Sequence, residues 1–203
     1  IYSVMAITRY TASADTTITN AFEANLVTRG TGSNMGYADS LEVFSIYGQE
    51  SGSVNGQSAE LSRILIQFPV TQISADRTAG IIPASGSVSF FLKMYNAEHP
   101  FTLPQDFTLT VAPIARAWSE GTGLDMDEYK DLGVSNWLRS DSSTSWTVVG
   151  GDYLNYDNYD VVFPRGFENL ELDVSEVVEN WIKGSSGGEY DNYGFGIRLT
   201  GSQ

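Results

Sequence analysis

Several short segments of this chain alternate strictly between apolar and other residues, and that period of two restricts the fold more than any other feature. In Ile64-Leu65-Ile66-Gln67-Phe68-Pro69-Val70, an extended backbone puts Ile64, Ile66, Phe68 and Val70 on one side and Leu65 and Gln67 on the other. Val88, Phe90, Leu92 and Met94 repeat the pattern, as do Phe107, Leu109 and Val111. So do Leu170, Leu172 and Val174, and last Tyr193, Phe195, Ile197 and Leu199. Each segment can bury one row of side chains and leave the other wet, and Gly, Ser, Asn and Pro clusters separate them. The pattern predicts an all-β chain folded as a two-layer antiparallel β-sandwich. Residues 41–47 shift phase, from Leu41 and Val43 to Phe44 and Ile46, which fits either a β-bulge or an edge strand buried on both sides.

One segment has helical spacing instead. Val174, Val177, Val178, Trp181 and Ile182 share one face over residues 173–184. Asp173 and Glu176 form a variant capping box, Lys183 suits the carboxyl-terminal dipole, and Gly184 suits a left-handed stop. Trp181 reads as an apolar plug over one end of the sandwich. The expected architecture is therefore strands with one short C-terminal helix. Weakly patterned stretches at 28–40, 49–59, 74–87, 120–144 and 184–192 read as surface connections, with a hairpin tip near 48–57. None has the bias of an interdomain linker, so residues 1–203 read as a single domain, with 1–10 an amino-terminal arm or edge strand. Met5-Ala6 looks like a translation start preceded by four residues, which leaves open an earlier start or a segment of a longer reading frame.

Charge narrows the partners. The 203 residues hold 11 Lys and Arg against 25 Asp and Glu, a net charge of −14, with no cysteine. Disulfides, thiolate metal sites and a cysteine nucleophile are excluded. An acidic surface repels phosphate backbones and anionic lipid, so neither nucleic acid nor a membrane surface is expected as a partner. No apolar run reaches the roughly 20 residues that span a bilayer, and the opening lacks the basic-then-apolar pattern of a signal peptide.

Candidate chemistry is sparse. His99 is the lone histidine, in Asn96-Ala97-Glu98-His99-Pro100, and reads as a turn residue; no GxSxG elbow occurs anywhere. Gly30-Thr31-Gly32 is not followed by the lysine of a phosphate loop. Carboxylate pairs abound in an acidic chain and by themselves do not indicate glycoside hydrolysis. The chain is therefore expected not to be an enzyme. The stretch 120–131 offers Glu120, Asp125, Asp127 and Asp131 as oxygen ligands for calcium, although Lys130 stands where an EF-hand needs Gly and Asn136 where it needs Glu. A solvated acidic turn is the alternative reading. For a glycan, which needs flat aromatic faces beside planar polar groups, the local supply is Tyr153, Tyr156 and Tyr159 among Asn and Asp residues, with Trp137 beside Arg139. The same tyrosines also suit loop anchoring.

Landmarks in a fixed order carry a resemblance. Ala14-Asp15-Thr16 resembles an opening "ADT"; Asn34-Met35-Gly36 followed by Leu41-Glu42-Val43 resembles "N.G....L.V"; and residues 63–68 resemble "R.LL.FD". Trp118-Ser119-Glu120-Gly121 resembles "W.EG", and Trp146-Thr147 with Gly150-Gly151-Asp152 resembles "WT..GGD". Residues 170–184 followed by Asn192-Tyr193-Gly194 are similar to the closing pattern "DVT..V..W..G..N.G". Together they resemble the DNRLRE-type domain family over residues 14–200. Pro69 departs from the family, which usually has Asp there, and a proline without an amide hydrogen implies a strand edge or bulge.

That resemblance implies a jelly-roll-like sandwich appended to secreted or surface proteins, some of which bind polysaccharide. Residues 5–15, 61–69 and 118–132 are further similar to predicted structural proteins of marine tailed bacteriophages. The likeness implies a non-catalytic virion component, a decoration, fibre or appendage protein that contacts other virion proteins or copies of itself and has some capacity for cell-surface glycans. The alternative is an extracellular carbohydrate-binding module.

Overall fold

Strand β3 (Ser58–Gln67) is the longest element of the computed structural model, which describes residues 7–48, 58–98, 102–124, 134–155, 158–184 and 188–200. Around it lie β1 (Ala14–Thr19), β2 (Ser45–Gly48), α1 (Val70–Thr78), β4 (Phe91–Met94), β5 (Phe107–Pro113), β6 (Tyr159–Phe163), β7 (Leu170–Asp173), α2 (Ser175–Lys183) and β8 (Phe195–Leu199). All pairings are antiparallel. The main sheet is six-stranded, in the order β1-β3-β8-β5-β6 with β2 also on β3, and β4 and β7 form a separate two-stranded ribbon. The expected all-β, antiparallel, sandwich-like fold is what the chain adopts.

Alternation on β3 explains how the layers assemble. Ile64 and Ile66 point to one face of the sheet, where they meet Val111 of β5, Phe195 and Ile197 of β8, Leu92 of β4, Leu170 of β7 and Val177, Val178 and Trp181 of α2. Leu61 and Leu65 point to the other face and join Ile18, Ile114, Trp137 and Trp146. The first face is thus covered by the ribbon and both helices, and the second by the irregular segment 134–155. Burying about 25 cal/mol per Å² of apolar surface on both sides makes β3 the strand with most at stake.

α2 matches its expected face, with Val177, Val178 and Trp181 buried, although the helix begins at Ser175 and Val174 stands at its N-cap. Asp173 serves it by accepting the Ser175 amide at 2.9 Å. Trp181 packs on Phe195 with centroids 4.8 Å apart, as a core residue. Gly184, at φ +51, ends the helix in the left-handed region.

Four expectations need correction. A second helix, α1, stands where Val70 was expected to continue the strand and 74–87 to be a connection. Only Val70 and Ile73 of α1 are buried, so its apolar face is too narrow to read as helical spacing. Pro69 occupies its N-cap, a position where the missing amide hydrogen costs nothing, rather than an edge or bulge. Arg77 ties α1 to α2 through a fork to Glu179, at 2.7 and 2.6 Å. That hydrogen bond, against burial, holds the Glu179 carboxyl below the usual range. Tyr193 leaves the row of Phe195 and Ile197 and packs with the second core. Gly194 at φ +83 causes the switch, because a left-handed residue breaks the alternation. Ile46 is exposed, which rules out burial of β2 on both sides. Residues 1–6 of the expected arm and 49–57 of the expected hairpin tip lie outside the described residues.

A Cβ on Gly194 would strike the Ile66 carbonyl oxygen, whereas one on Gly80, also left-handed at φ +73, meets nothing within 4 Å. Gly80→Ala is expected to cost about 1–2 kcal/mol, the left-handed strain alone. Gly194→Ala should cost clearly more, because β8 must move off β3. Urea midpoints of the two variants measure the difference.

Candidate functional site

On the second face of the sheet, β3 and β8 send up Arg63 and Arg198, and the segment 134–155 crosses above them. The Arg63 guanidinium lies 4.9 Å from the Trp137 ring centre and 5.6 Å from that of Tyr153, and donates from Nη1 to the Gly150 carbonyl at 2.8 Å. Arg198 covers Tyr153 at 4.5 Å. The Tyr153 hydroxyl donates to the same Gly150 carbonyl at 2.7 Å. Cation–π contact and charge-assisted bonding together lock the layer to the sheet. Burial pushes the Tyr153 phenol above its ordinary pKa despite the nearby guanidinium charges of Arg63 and Arg198. A Cβ on Gly196 would run into the Tyr153 ring, so β8 needs glycine under it. Trp146 donates to the Asn136 carbonyl at 2.8 Å, and Trp118 to the Tyr193 carbonyl at 2.8 Å.

These contacts correct the expected sugar platform. Trp137 is 5 % exposed and belongs to the core with Trp146. Tyr153 is brought beside it but is covered by the two arginines. Tyr159, on β6, packs against the core on the opposite face of the sheet. Tyr156 lies outside the described residues. Aromatics in loops have no period to reveal their face, so burial was not readable.

Glu120 sits at the free edge of β1. Its Oε1 accepts the Asp15 amide at 2.9 Å, and the Asn34 side chain donates to the Glu120 and Ser135 carbonyls at 2.5 and 2.9 Å. Asn34 Oδ1 also accepts the Gly36 amide at 2.9 Å. Gly36 is required because a Cβ would meet the Glu120 and Gly121 carbonyls. Burial, then repulsion from Glu120, raises the Asp15 carboxyl above its usual pKa. Asp125, Asp127 and Asp131, the other expected calcium ligands, lie outside the described residues, as does His99. Among the described residues no group of three or more metal-ligating side chains gathers.

A concave feature lies elsewhere, at one end of the β4–β7 ribbon. Met94 pairs with Leu170, so the residues just beyond, 95–98 and 166–169, continue side by side. Tyr95, Asn96, Ala97, Glu98, Leu103, Phe167 and Asn169 line a half-open cleft of about 610 Å³. Sequence reasoning missed it. Its one signal is that Tyr95-Asn96 and Phe167…Asn169 both put an aromatic beside an amide just outside an alternating segment.

Arg63→Met is expected to cost about 2–3 kcal/mol, since it uncovers two rings and leaves the Gly150 carbonyl with one donor fewer. Urea unfolding would show the loss, accompanied by a red shift of tryptophan emission. Asp15→Asn should raise Tm at pH 7. A carboxyl whose folded pKa is raised favours folding below its unfolded pKa and loses that benefit as pH rises through the folded value. The gain from the amide should therefore vanish near pH 3, and calorimetry at both values checks it. Among family models, curated proteins and solved structures, none matches this chain.

Proposed function

We propose that the chain is a non-catalytic structural component of a phage virion surface, a decoration, fibre or appendage protein. The observation that carries this reading is where the sequence landmarks go. Asp15 of "ADT", Asn34 and Gly36 of "N.G" and Glu120 and Gly121 of "W.EG" meet at one junction. Arg63 of "R.LL.FD" meets Gly150 of "WT..GGD", and Asp152 of the same landmark accepts the Thr147 and Val148 amides at 3.0 and 2.9 Å while pairing with Arg116 at 3.2 Å. Residues that carry the resemblance to the DNRLRE-type family thus act as clamps between segments distant in sequence, and Asp15, Arg63, Glu120 and Gly121 among them also fall in the stretches similar to phage structural proteins. Such clamps fix shape, which is what a particle surface asks of its parts.

The turn pinned by Asp152 holds out two adjacent apolar residues, Val148 and Val149, both exposed. A rigid apolar tip suits contact with a fixed neighbour, either another virion protein or a second copy. The acidic charge disfavours attachment to packaged nucleic acid and fits the outside of a particle.

The test uses tailed phage particles whose genome carries the coding sequence. An antiserum raised against the purified chain should label the particle surface in negative-stain micrographs. Particles that stay unlabelled, while the chain is detected in the infected-cell lysate, would overturn the reading.

A further inference from the structure

The turn at 148–151 carries two valines where exposed turns favour Gly, Pro, Asn, Asp or Ser. Val148 is 62 % exposed and Val149 54 % exposed. Leu138, 44 % exposed, belongs to the same patch. Its carbonyl accepts the Trp146 amide at 3.1 Å and that of Trp137 accepts the Gly150 amide at 2.7 Å, so the two chains run side by side.

The turn itself is rigidly held. Its closing bond runs from the Gly151 amide to the Val148 carbonyl at 3.2 Å, with Gly150 at φ +86 in the third position, as a type II turn requires. Asp152 accepts the Thr147 and Val148 amides and pairs with Arg116, which also donates to the Ser145 carbonyl at 2.6 Å and the Thr147 hydroxyl at 3.1 Å. Beneath the turn, a Cβ on Gly150 would meet Arg63 at 2.8 Å and Trp137 at 2.9 Å. An apolar tip held this firmly loses little conformational entropy when it is covered.

Charge decides what covers it. Segment 134–155, with Arg116 bound to it, balances Arg116 and Arg139 against Asp141 and Asp152, so the patch is neutral on a chain of net charge −14. A basic partner is drawn to the acidic remainder of the surface instead. A neutral patch is where a partner with the same acidic surplus can approach, and another copy is such a partner. We infer that this patch is a two-fold contact between two copies of the chain. In such a contact Leu138, Val148 and Val149 of one copy meet the same residues of the other. Arg139 and Asp141, on the short hairpin bridged at Arg139 and Ser145, then set opposite charges against each other across the axis. Three exposed side chains supply less than the roughly 800 Å² per partner that stable complexes bury, so the association is weak, with a Kd of about 0.1 mM. The inference rests on the reading of this turn as a contact point and names the neighbour it meets.

Sedimentation velocity on the full chain tests it, at concentrations up to about 1 mM in low and high NaCl. A monomer–dimer equilibrium is expected, and it should tighten with salt as repulsion between two acidic copies is screened. Val148→Ser combined with Val149→Ser should weaken it about tenfold. Leu138→Ser should weaken it as well, and Tm should not move in either variant because all three side chains are exposed. Phe91→Ser, at an exposed position of the ribbon that covers the other face of the sheet, should leave the equilibrium unchanged. A chain that stays monomeric throughout, a dimer that loosens with salt, one that survives the double serine variant, or one abolished by Phe91→Ser would each overturn the inference. A monomeric chain that still labels the particle surface overturns the self-contact alone and leaves the virion reading in place.

Discussion

The structure depends on β3 burying both of its faces. Ile64 and Ile66 enter the core beneath the helices, and Leu61 and Leu65 enter the core beneath segment 134–155. The strand also pairs along both edges, since Leu61 turns its amide and carbonyl to Asn20 while Ser62 turns its amide to Phe44. A strand in that position couples the two cores, so loss of packing on one side is felt on the other. The irregular segment needs this arrangement most. Besides its backbone bonds to Thr31, Pro113 and Ser119, it stays in place by sealing rings against the sheet and by the donors that Arg63 and Trp146 direct at its carbonyls.

Arginine use follows from the same constraint. In a chain with so few cations, Arg63 and Arg77 are placed inside, where planar forks can satisfy carbonyl or carboxylate oxygens that burial would otherwise leave costly. Arg77 joins the two helices on one side of the sheet, and Arg63 joins the loop layer on the other. The acidic surplus is left on the surface, where water screens it. The charge balance of the surface is thus partly a consequence of how the interior is held.

Period-two patterning made the core strands legible: the opposition of Ile64 and Ile66 to Leu65 is what the structure shows, as is the helical face of Val177, Val178 and Trp181. It failed where a single residue reset the geometry. Gly194 turned Tyr193 to the other face, and Pro69 turned an expected strand end into a helix start. α1 was invisible because two buried residues in nine define no stripe. The candidate site was legible only in its chemistry. Aromatics beside asparagines pointed to a sugar platform, but the spacing of Tyr153, Tyr156 and Tyr159 says nothing about which rings are covered. Arg63 and Arg198 decide that for Tyr153, and they are remote from it in sequence.

A two-stranded ribbon is marginal in isolation, and β4–β7 persists because Leu92 and Leu170 anchor it to the sheet. That anchoring ends at Leu170. Beyond it, Tyr95 to Glu98 and Phe167 to Asn169 contribute little to either core, so their side chains can change without unfolding the sandwich. The clamped layer has no such freedom, because each of its rings and glycines is fixed by a partner. Selection for a partner or ligand acts most cheaply where burial makes no demand. On that ground the ribbon end, rather than the tryptophan-rich layer, is where recognition can be varied while the shell stays constant.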